Sequence, residues 1–325
     1  MMQPSRRQLL SLMFGAIFLT LAGTSATAAD WPTRHVQLMV PYPPGGGVDF
    51  TARVLADALG SVLGKPVIVE NRAGAAGTIG VNRLAQSDPD GHQLAIVSPG
   101  PTTIGPILQP TPYDPLSLTY ITRVTTAPML LIARKDFPAQ DLKGLLAYTK
   151  ANPGAVRFAN AGQGTATHLA AELLSLRLKT PMIQVPYRGT APALTDVMSG
   201  QVDVFFSDVS AIGNVEQGQV RLLAVSTAKR WHRAPNVPAV IEELPEFAVD
   251  SWYGLIGPPR MPEAIRNQVE AAFIRALTTP VVRQKLLGGG LDASPMPSLE
   301  FTAFIRKEIG IWRNVISNAK ISVKN

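Results

Sequence analysis

The stretch VQLMVPYPPGGGVDFTARVLADALGSVL, residues 36–63, predicts a buried strand, a turn and then an amphipathic helix. Val36–Val40 is a short β-rich run, which the following prolines end because proline supplies no N–H to a sheet. The glycines at positions 45–47 let the backbone turn sharply and approach a ligand closely. Asp49 can cap the helix, in which apolar residues recur at helical spacing.

The start of this predicted helix suits an anion. The first N–H groups of a helix have no intrahelical partner, and they lie at the positive end of the helix dipole. An ordinary strand-to-helix turn explains the same residues. This segment alone therefore leaves both interpretations open.

A second glycine-rich loop has the same design. The sequence AGQGTAT, residues 161–167, lies between a predicted strand at Val156–Ala159 and a predicted helix at His168–Leu178. Two such units, each in its own lobe, predict two anion-binding loops that face one cleft.

The N-terminal residues predict an export signal. Arg6 and Arg7 precede an apolar segment, residues 9–22, and the sequence Ala26-Thr27-Ala28 offers a small-x-small cleavage site. We predict a cleaved signal peptide over residues 1–28 and a periplasmic protein, exported by either the Sec or the twin-arginine route. A retained membrane anchor is the weaker alternative, because the apolar segment is short for a bilayer span.

Composition excludes several classes of function. The chain has 325 residues, a formal net charge of +7 and no cysteine. Its basic residues are scattered singly, which argues against nucleic-acid binding, and the lack of cysteine excludes thiolate chemistry. The four histidines have no metal-ligand spacing. The glycines of residues 74–80 have the wrong spacing for a dinucleotide site. We expect neither a metal nor a cofactor.

Helical and extended segments alternate along the chain, which predicts an α/β fold with largely parallel sheets. Further strands are expected at Pro66–Val69, Gln93–Val97, Met129–Ala133, Met182–Val185, Val202–Phe206 and Val220–Val225. Further helices are expected at Gly77–Ala85, over the segment that carries Leu142–Thr149, and beyond Pro262. The length that remains after the signal peptide suits two lobes.

Two acids flank the predicted strand Val204–Phe206. Asp203 and Asp208 are separated by an odd interval, so they project to opposite faces of a strand. A pair of catalytic carboxylates would have to face one pocket. Asp203 is therefore interpreted as a structural turn residue. Asp208 lies at the end of the strand, where it either reaches a cleft or caps the segment that follows.

Five blocks of sequence, in a fixed order, cover nearly the whole chain after Trp31. They are PYPPGGGVDFTARVLADALGSVLGKPVIVENRAGAAGTIG (41–80), FANAGQGTATHLAAELL (158–174), VPYRGTAPALTDVMSGQVDVFFSD (185–208), LLAVSTAKRWHRAPNVPAVIE (222–242) and SWYGLIGPPRMPEAI (251–265). Together these blocks resemble the Bug proteins, the periplasmic solute-binding receptors of tripartite tricarboxylate transporters. Their order and spacing make the likeness specific, unlike any one glycine-rich loop.

The resemblance implies the fold of a two-lobe periplasmic binding protein, the type II Venus flytrap, in which each lobe is a mainly parallel sheet flanked by helices. The first lobe would comprise residues 29–127 and 251–325, and the second would comprise residues 128–250. The chain would cross between the lobes near Ala127–Pro128 and near Asp250–Trp252.

The resemblance also implies a binding site. The family grips one carboxylate mainly through backbone amides and ordered water from two β-to-α loops, which correspond here to Tyr42–Gly47 and Ala161–Thr167. The candidate ligand-binding residues are Tyr42, Pro44, Gly45, Gly46, Ser98, Ala161, Gly162, Gly164, Thr165, Thr167, Tyr187 and Asp208. The segment Ser98–Thr103 departs from the family's glycine- and hydroxyl-rich pattern, at the place where the far end of the ligand is usually read.

The expected function is that of a monomeric receptor. It would capture a small carboxylate, either an aliphatic di- or tricarboxylate or an aromatic acid, and deliver it to the membrane components of a tripartite tricarboxylate transporter. The alternative is an α/β enzyme acting on a small carboxylate, with Asp208 as the base and His168 as the acid. A histidine at the start of a helix is a poor acid, because the positive end of the dipole lowers the pKa of its imidazole.

Overall fold

The computed structural model describes residues 31–245, 247 and 249–319. The predicted signal peptide, residues 1–28, lies outside this part of the chain. No helix within the described residues has the length and apolar character that a membrane span requires.

The chain forms alternating strands and helices. The strands are β1 (Val36–Val40), β2 (Val67–Asn71), β3 (Gln93–Val97), β4 (Thr119–Pro128), β5 (Leu130–Arg134), β6 (Arg157–Asn160), β7 (Ile183–Pro186), β8 (Val204–Ser207), β9 (Val220–Val225), β10 (Asp250–Gly257) and β11 (Asp292–Met296). The α-helices are α1 (Gly47–Leu63), α2 (Thr78–Ala85), α3 (Gly105–Leu108), α4 (Leu142–Ala151), α5 (Ala166–Leu178), α6 (Thr190–Met198), α7 (Ile212–Glu216), α8 (Glu263–Leu277), α9 (Pro280–Gly288) and α10 (Ser298–Ala319).

The strands form two separate sheets, one for each lobe. The first is six-stranded with the order β11-β4-β10-β3-β1-β2, and the second is five-stranded with the order β7-β6-β8-β5-β9. In the first sheet β1 is parallel to β2 and β3, whereas β10 is antiparallel to β3 and β4. In the second sheet β6 is parallel to β7 and β8, whereas β5 is antiparallel to β8 and β9. The two-lobe α/β fold is thus confirmed, but the sheets are mixed rather than mainly parallel.

The antiparallel strands in the first sheet arise from the way the chain changes lobes. It leaves the first sheet along β4, enters the second at β5, and returns along β10. Because the outgoing and returning strands are neighbours, they run in opposite directions, with Pro128 opposite Asp250 and Ala127 opposite Ser251. The two crossings therefore lie side by side. The expected crossing points and lobe boundaries, at residues 127/128 and 250/251, stay a prediction.

The start of α1 differs from the expected cap. The helix begins at Gly47, so Gly46 occupies the N-cap position and provides no side-chain cap. Asp49 lies in the first turn, where its Oδ2 accepts the N–H of Gly45 at 3.0 Å and the Nε of Arg53 at 3.0 Å. Burial alone would raise the pKa of Asp49, but the hydrogen bonds from Arg53 and Gly45 outweigh it and lower the pKa. The predicted N-cap role of Asp49 is wrong, and its carboxylate instead braces the glycine turn.

The long C-terminal helix α10 packs on both lobes. Phe301 and Ile305 belong to an apolar cluster of the first sheet that includes Trp252. Further along the same helix, Trp312 and Ile316 belong to the core of the second lobe. The helix thus lies across the side of the molecule where the strands cross.

Candidate functional site

A cavity of about 60 Å³ lies between the two lobes. A water molecule needs roughly 10–15 Å³ of such space, so the cavity suits a group of only a few heavy atoms. Its walls are formed by Tyr42, Pro43, Gly46, Val48, Asp49, Ser98, Met129, Ala161, Thr165, Ala166, Thr167, Gly189, Thr190, Asp208, Ser251 and Tyr253. We call this space the inner cavity. No arginine or lysine of the described chain lines it.

Three helices begin at the inner cavity. The first turn of α1 contributes Val48 and the first turn of α5 contributes Ala166, from opposite lobes. The third is α6, whose Thr190 lines the same space. The unpaired N–H groups at the start of each helix carry partial positive charge and can donate to an anion without a basic side chain. Asp49 and Asp208 place two carboxylates on the walls of the same cavity. The contribution of α6 was not predicted from the sequence.

The loop before α5 is held in place by its own side chains. Gly162 and Gly164 have φ values of +128° and +80°, the left-handed region that favours glycine. Thr165 is the N-cap residue: its hydroxyl accepts the N–H of His168 at 3.3 Å and donates to the carbonyl of Gly162 at 2.7 Å. The hydroxyl of Thr167 accepts the N–H of Ala161 at 2.9 Å. These hydroxyls shape the loop and take up the N–H of His168, and they leave the backbone N–H groups of Ala166 and Thr167 for an anion.

His168 takes part in the same arrangement and does not line the inner cavity. Its Nδ1 accepts the N–H of Gly164 at 3.3 Å, and its Nε2 lies 3.7 Å from Oε1 of Glu172. Burial lowers the pKa of His168 below its ordinary value, so the ring is neutral at physiological pH. Its role is to fix the loop.

Asp208 lies at the end of β8 and performs both of the roles left open for it. It lines the inner cavity, and its Oδ1 accepts the N–H of Ser210 at 2.9 Å to cap the short helical turn that follows. Its Oδ2 accepts the N–H of Gly47 at 3.1 Å and the hydroxyl of Thr190 at 2.9 Å. Asp203, at the other end of the strand, binds Arg134 and Arg157 and is structural, as predicted.

Tyr42 and Ser98 form a polar pair on the wall that the first lobe contributes. Their hydroxyl oxygens are 2.6 Å apart. Burial raises the pKa of Tyr42 well above its ordinary range, so the hydroxyl keeps its proton. The proline-containing segment that follows Ser98 forms a wide helical turn over Gly100–Ile104, and the hydroxyl of Thr103 donates to the carbonyl of Pro99 at 3.1 Å.

A second, larger space of about 740 Å³ adjoins the inner cavity. The two share Tyr42, Pro43 and Ala161 as lining residues. We call this space the outer chamber. The glycine-rich turn of residues 73–77 contributes much of its apolar wall, and Arg188 is the one charged side chain that lines it among the described residues.

The candidate residues divide between these two spaces. The inner cavity collects Tyr42, Gly46, Ser98, Ala161, Thr165, Thr167 and Asp208, and the outer chamber adds Gly162 and Tyr187. The hydroxyl of Tyr187 donates to Asp196 at 2.7 Å; burial, together with that carboxylate, raises the pKa of Tyr187 to about 12. Pro44, Gly45 and Gly164 line neither space within the described chain. Gly45 and Gly164 instead supply positive-φ turns in the two glycine-rich loops.

Several cavity residues were missed by reasoning from the sequence. Met129 follows the outgoing crossing, and Ser251 and Tyr253 lie on the returning strand β10. A β-carbon built at Gly47 would overlap the hydroxyl oxygen of Tyr253, so the close approach of that side chain favours glycine at this position. No local sequence pattern marks these residues, because they reach the site only through the crossings of the chain between the two lobes. No cluster of potential metal ligands is found among the described residues.

A cleft between two α/β lobes that are joined by adjacent crossing strands is the architecture of periplasmic binding proteins. Residues 51–321 match the model of the family described as "Tripartite tricarboxylate transporter family receptor". The chain belongs to this family of periplasmic solute-binding receptors.

Individual relatives agree with this membership. Protein BugT of Bordetella pertussis is 33% identical over 315 residues, which cover 95% of this chain and 97% of BugT. The structure of MatC from Rhodopseudomonas palustris with bound malate is 33% identical and has a TM-score of 0.83, covering 88% of this chain and 100% of MatC. The structure of R. palustris Rpa4515 with adipate is 28% identical and has a TM-score of 0.87, covering 90% of this chain and 99% of the other. The protein is therefore a receptor and not an enzyme, and the acid–base alternative for Asp208 and His168 is set aside.

Proposed function

We propose that this receptor captures a small carboxylate in the periplasm and, as a monomer, delivers it to the membrane components of a tripartite tricarboxylate transporter. The observation that carries the proposal is the inner cavity, where three helices begin around a space that suits one carboxylate. Family membership supports the same assignment.

The chemistry of the inner cavity favours an anion over a neutral solute. Backbone N–H groups at helix starts donate hydrogen bonds and carry partial positive charge, so a carboxylate gains from both. Hydrogen bonds to an ionised acceptor are shorter and roughly twice as strong as those between neutral groups. We propose that Ala166 and Thr167 of α5, with Gly46 and Val48 at the start of α1, provide these donors.

The outer chamber accommodates the rest of the ligand. A group held in the inner cavity can extend past Tyr42 and Ala161 into the larger space, whose walls are mostly apolar. This shape favours an aliphatic dicarboxylate or tricarboxylate, or an aromatic acid. Malate and adipate are the first two acids to test, because they are bound in the structures of MatC and Rpa4515.

A thermal-shift panel tests the proposal. Malate, adipate, succinate and benzoate would be compared with the amides of the same acids, at concentrations up to the millimolar range. A ligand that binds only the folded protein at 100 times its Kd adds about 2.7 kcal/mol to the free energy of unfolding. For lobes of this size, that corresponds to a rise in Tm of roughly 5–10 °C.

The expected result is such a rise with at least one acid and none with its amide. A large rise with neutral sugars or cationic amines, and none with any acid, would rule out a carboxylate receptor. Native mass spectrometry of protein released gently from the periplasm is an independent check, because a tightly bound solute is retained and can be weighed.

A further inference from the structure

We infer that Asp208 is a positioning residue that fastens the two lobes together, and that it does not contact the ligand. This inference rests on the proposed receptor function, because it concerns how the cleft closes. Asp208 follows β8 of the second lobe, whereas Gly47 begins α1 of the first lobe. The hydrogen bond of 3.1 Å from the N–H of Gly47 to Oδ2 of Asp208 therefore spans the cleft.

The carboxylate of Asp208 has no acceptor capacity left for a ligand. Oδ2 accepts from Gly47 and from the hydroxyl of Thr190, and Oδ1 accepts from both the N–H and the hydroxyl of Ser210. A carboxylate offers about four lone-pair directions, and these four donors use them. A ligand hydroxyl or amine would have to displace one of them.

The bond to Gly47 also has an electrostatic component. Gly47 is the first residue of a helix of 17 residues, so its N–H lies at the positive end of the helix dipole. Asp208 thus places a negative charge of the protein at a helix start that would otherwise attract the carboxylate of a solute. The remaining N–H groups around the inner cavity are left to the ligand.

The consequence is a bias toward the closed form. The Gly47–Asp208 bond exists only when the lobes are together, whereas the bonds of Asp208 to Thr190 and Ser210 lie within the second lobe and persist when the cleft opens. A hydrogen bond to a charged group that is lost on opening shifts the ratio of closed to open protein on the order of 10- to 100-fold. Asp208 therefore adds to the affinity for every ligand by the same factor.

Asp208→Ser removes the Gly47–Asp208 hydrogen bond between the lobes but keeps the N-cap of the helical turn that follows Asp208. Serine is a good N-cap residue, so it can still accept the N–H of Ser210, but its side chain is too short to span the cleft. We expect ligand-free Asp208→Ser protein to have a larger radius of gyration than the wild type in small-angle X-ray scattering. Its affinity for each acid in the panel should fall about tenfold or more by one common factor.

Two further variants complete the test. Asp208→Asn should have a radius of gyration and affinities between those of the wild type and those of Asp208→Ser. Its amide oxygen can still accept from Gly47, while its NH₂ group faces the donors of Ser210. Asp196→Asn removes a carboxylate from the same lobe, and it should leave the radius of gyration unchanged because Asp196 accepts from Tyr187 within that lobe.

The outcomes are distinct. An unchanged radius of gyration together with unchanged affinities in Asp208→Ser would overturn the inference. An unchanged radius of gyration with a new order of preference among the acids would mean that Asp208 contacts the ligand directly, which also overturns it. If no acid binds even the wild type, the proposed function fails, but the scattering of the ligand-free variants still decides whether Asp208 holds the lobes together.

Discussion

The consecutive glycines before and within α1 lack side chains for different physical reasons. Gly45 has a φ of +92°, which favours glycine. Gly47 is approached closely by Tyr253. Gly46 has an extended backbone, with φ −90° and ψ 171°, which any residue can adopt. A β-carbon there would lie 3.7 Å from Oδ2 of Asp208, an ordinary contact distance. Gly46 is therefore small because it lies on the wall of the inner cavity, where a side chain would take up the space of a ligand.

Gly46→Val follows from this difference. Its branched side chain would occupy the inner cavity of about 60 Å³ without straining the backbone. We expect Tm to change by only a few degrees, while the Kd for the preferred acid, measured by calorimetry, rises at least about 100-fold. Gly46→Ala is the matched control, and its Kd should lie between those of the wild type and Gly46→Val. Wild-type affinity in Gly46→Val would show that the ligand binds elsewhere.

At the scale of single elements, the loop before α5 depends on one hydroxyl. Thr165 caps the helix and holds the carbonyl of Gly162. Thr165→Ala should lower the free energy of unfolding by about 1 kcal/mol through the lost cap, and weaken ligand binding by roughly one to two decades because the N–H groups lose their arrangement. Thr165→Ser keeps the hydroxyl and should restore both quantities in denaturant unfolding and calorimetry. Equal loss in the two variants would assign the effect to the methyl group.

The strands of the second lobe are joined by a buried carboxylate. Asp203 accepts from Nε of Arg134 at 2.9 Å and from Nε of Arg157 at 3.0 Å. Burial alone would raise the pKa of Asp203, but the hydrogen bonds from Arg157 and Arg134 outweigh it, so the pKa lies below the ordinary value of 3.8. The stability that Asp203 supplies is therefore fully present above about pH 4 and is lost as the pH falls through the lowered pKa.

Asp203→Asn tests this assignment. We expect the free energy of unfolding at pH 7 to fall by about 2–3 kcal/mol, since Arg134 and Arg157 lose a buried charged partner. The difference between wild type and variant should shrink as the pH is lowered from 5 to 3, in urea unfolding followed by circular dichroism. A difference that grew on acidification would contradict the direction of the pKa shift.

Much of each element was predictable from local sequence, but not the way in which elements meet. The units β1–α1 and β6–α5 are marked by a β-rich run, glycines and an apolar helix face, and both were predicted. The helix α6 was missed because Pro192 lies in its first turn and obscured a helix that begins at Thr190. The strand β4 was missed because threonines and Arg123 interrupt its apolar residues, so that it has no clear apolar run. The mixed sheets and the role of Tyr253 depend on the returning strand, which no local pattern encodes.

At the scale of the whole molecule, two short crossings between the lobes permit a hinge. The crossings are neighbours, with Ala127 opposite Ser251. A carboxylate can contact α1 and α5 together only when the lobes approach, so a ligand has more contacts in the closed form and shifts the population toward it. Domain closure of this kind concentrates backbone rotation in a few residues of the connecting segments.

Closure on ligand binding is therefore expected. The radius of gyration of the wild type, measured by small-angle X-ray scattering, should decrease when the preferred acid is added at saturation, and the amide of that acid should leave it unchanged. Ser251→Pro replaces a residue of the returning crossing, which also lines the inner cavity, with one whose φ is fixed. It should alter affinity although the two glycine-rich loops are untouched. An identical scattering profile with and without saturating ligand, in both the wild type and Asp208→Ser, would indicate a rigid cleft.

The central claim is that one carboxylate is held by backbone N–H groups at helix starts in both lobes. Two-dimensional ¹H–¹⁵N NMR of the labelled protein measures those groups directly. On addition of the preferred acid, the amide protons of Val48 in α1 and of Ala166 and Thr167 in α5 should all move downfield, as protons do when they begin to donate to a carboxylate, and the matching amide should leave them in place. Saturable shifts confined to one lobe, or confined to the surroundings of Arg188 in the outer chamber, would contradict the claim.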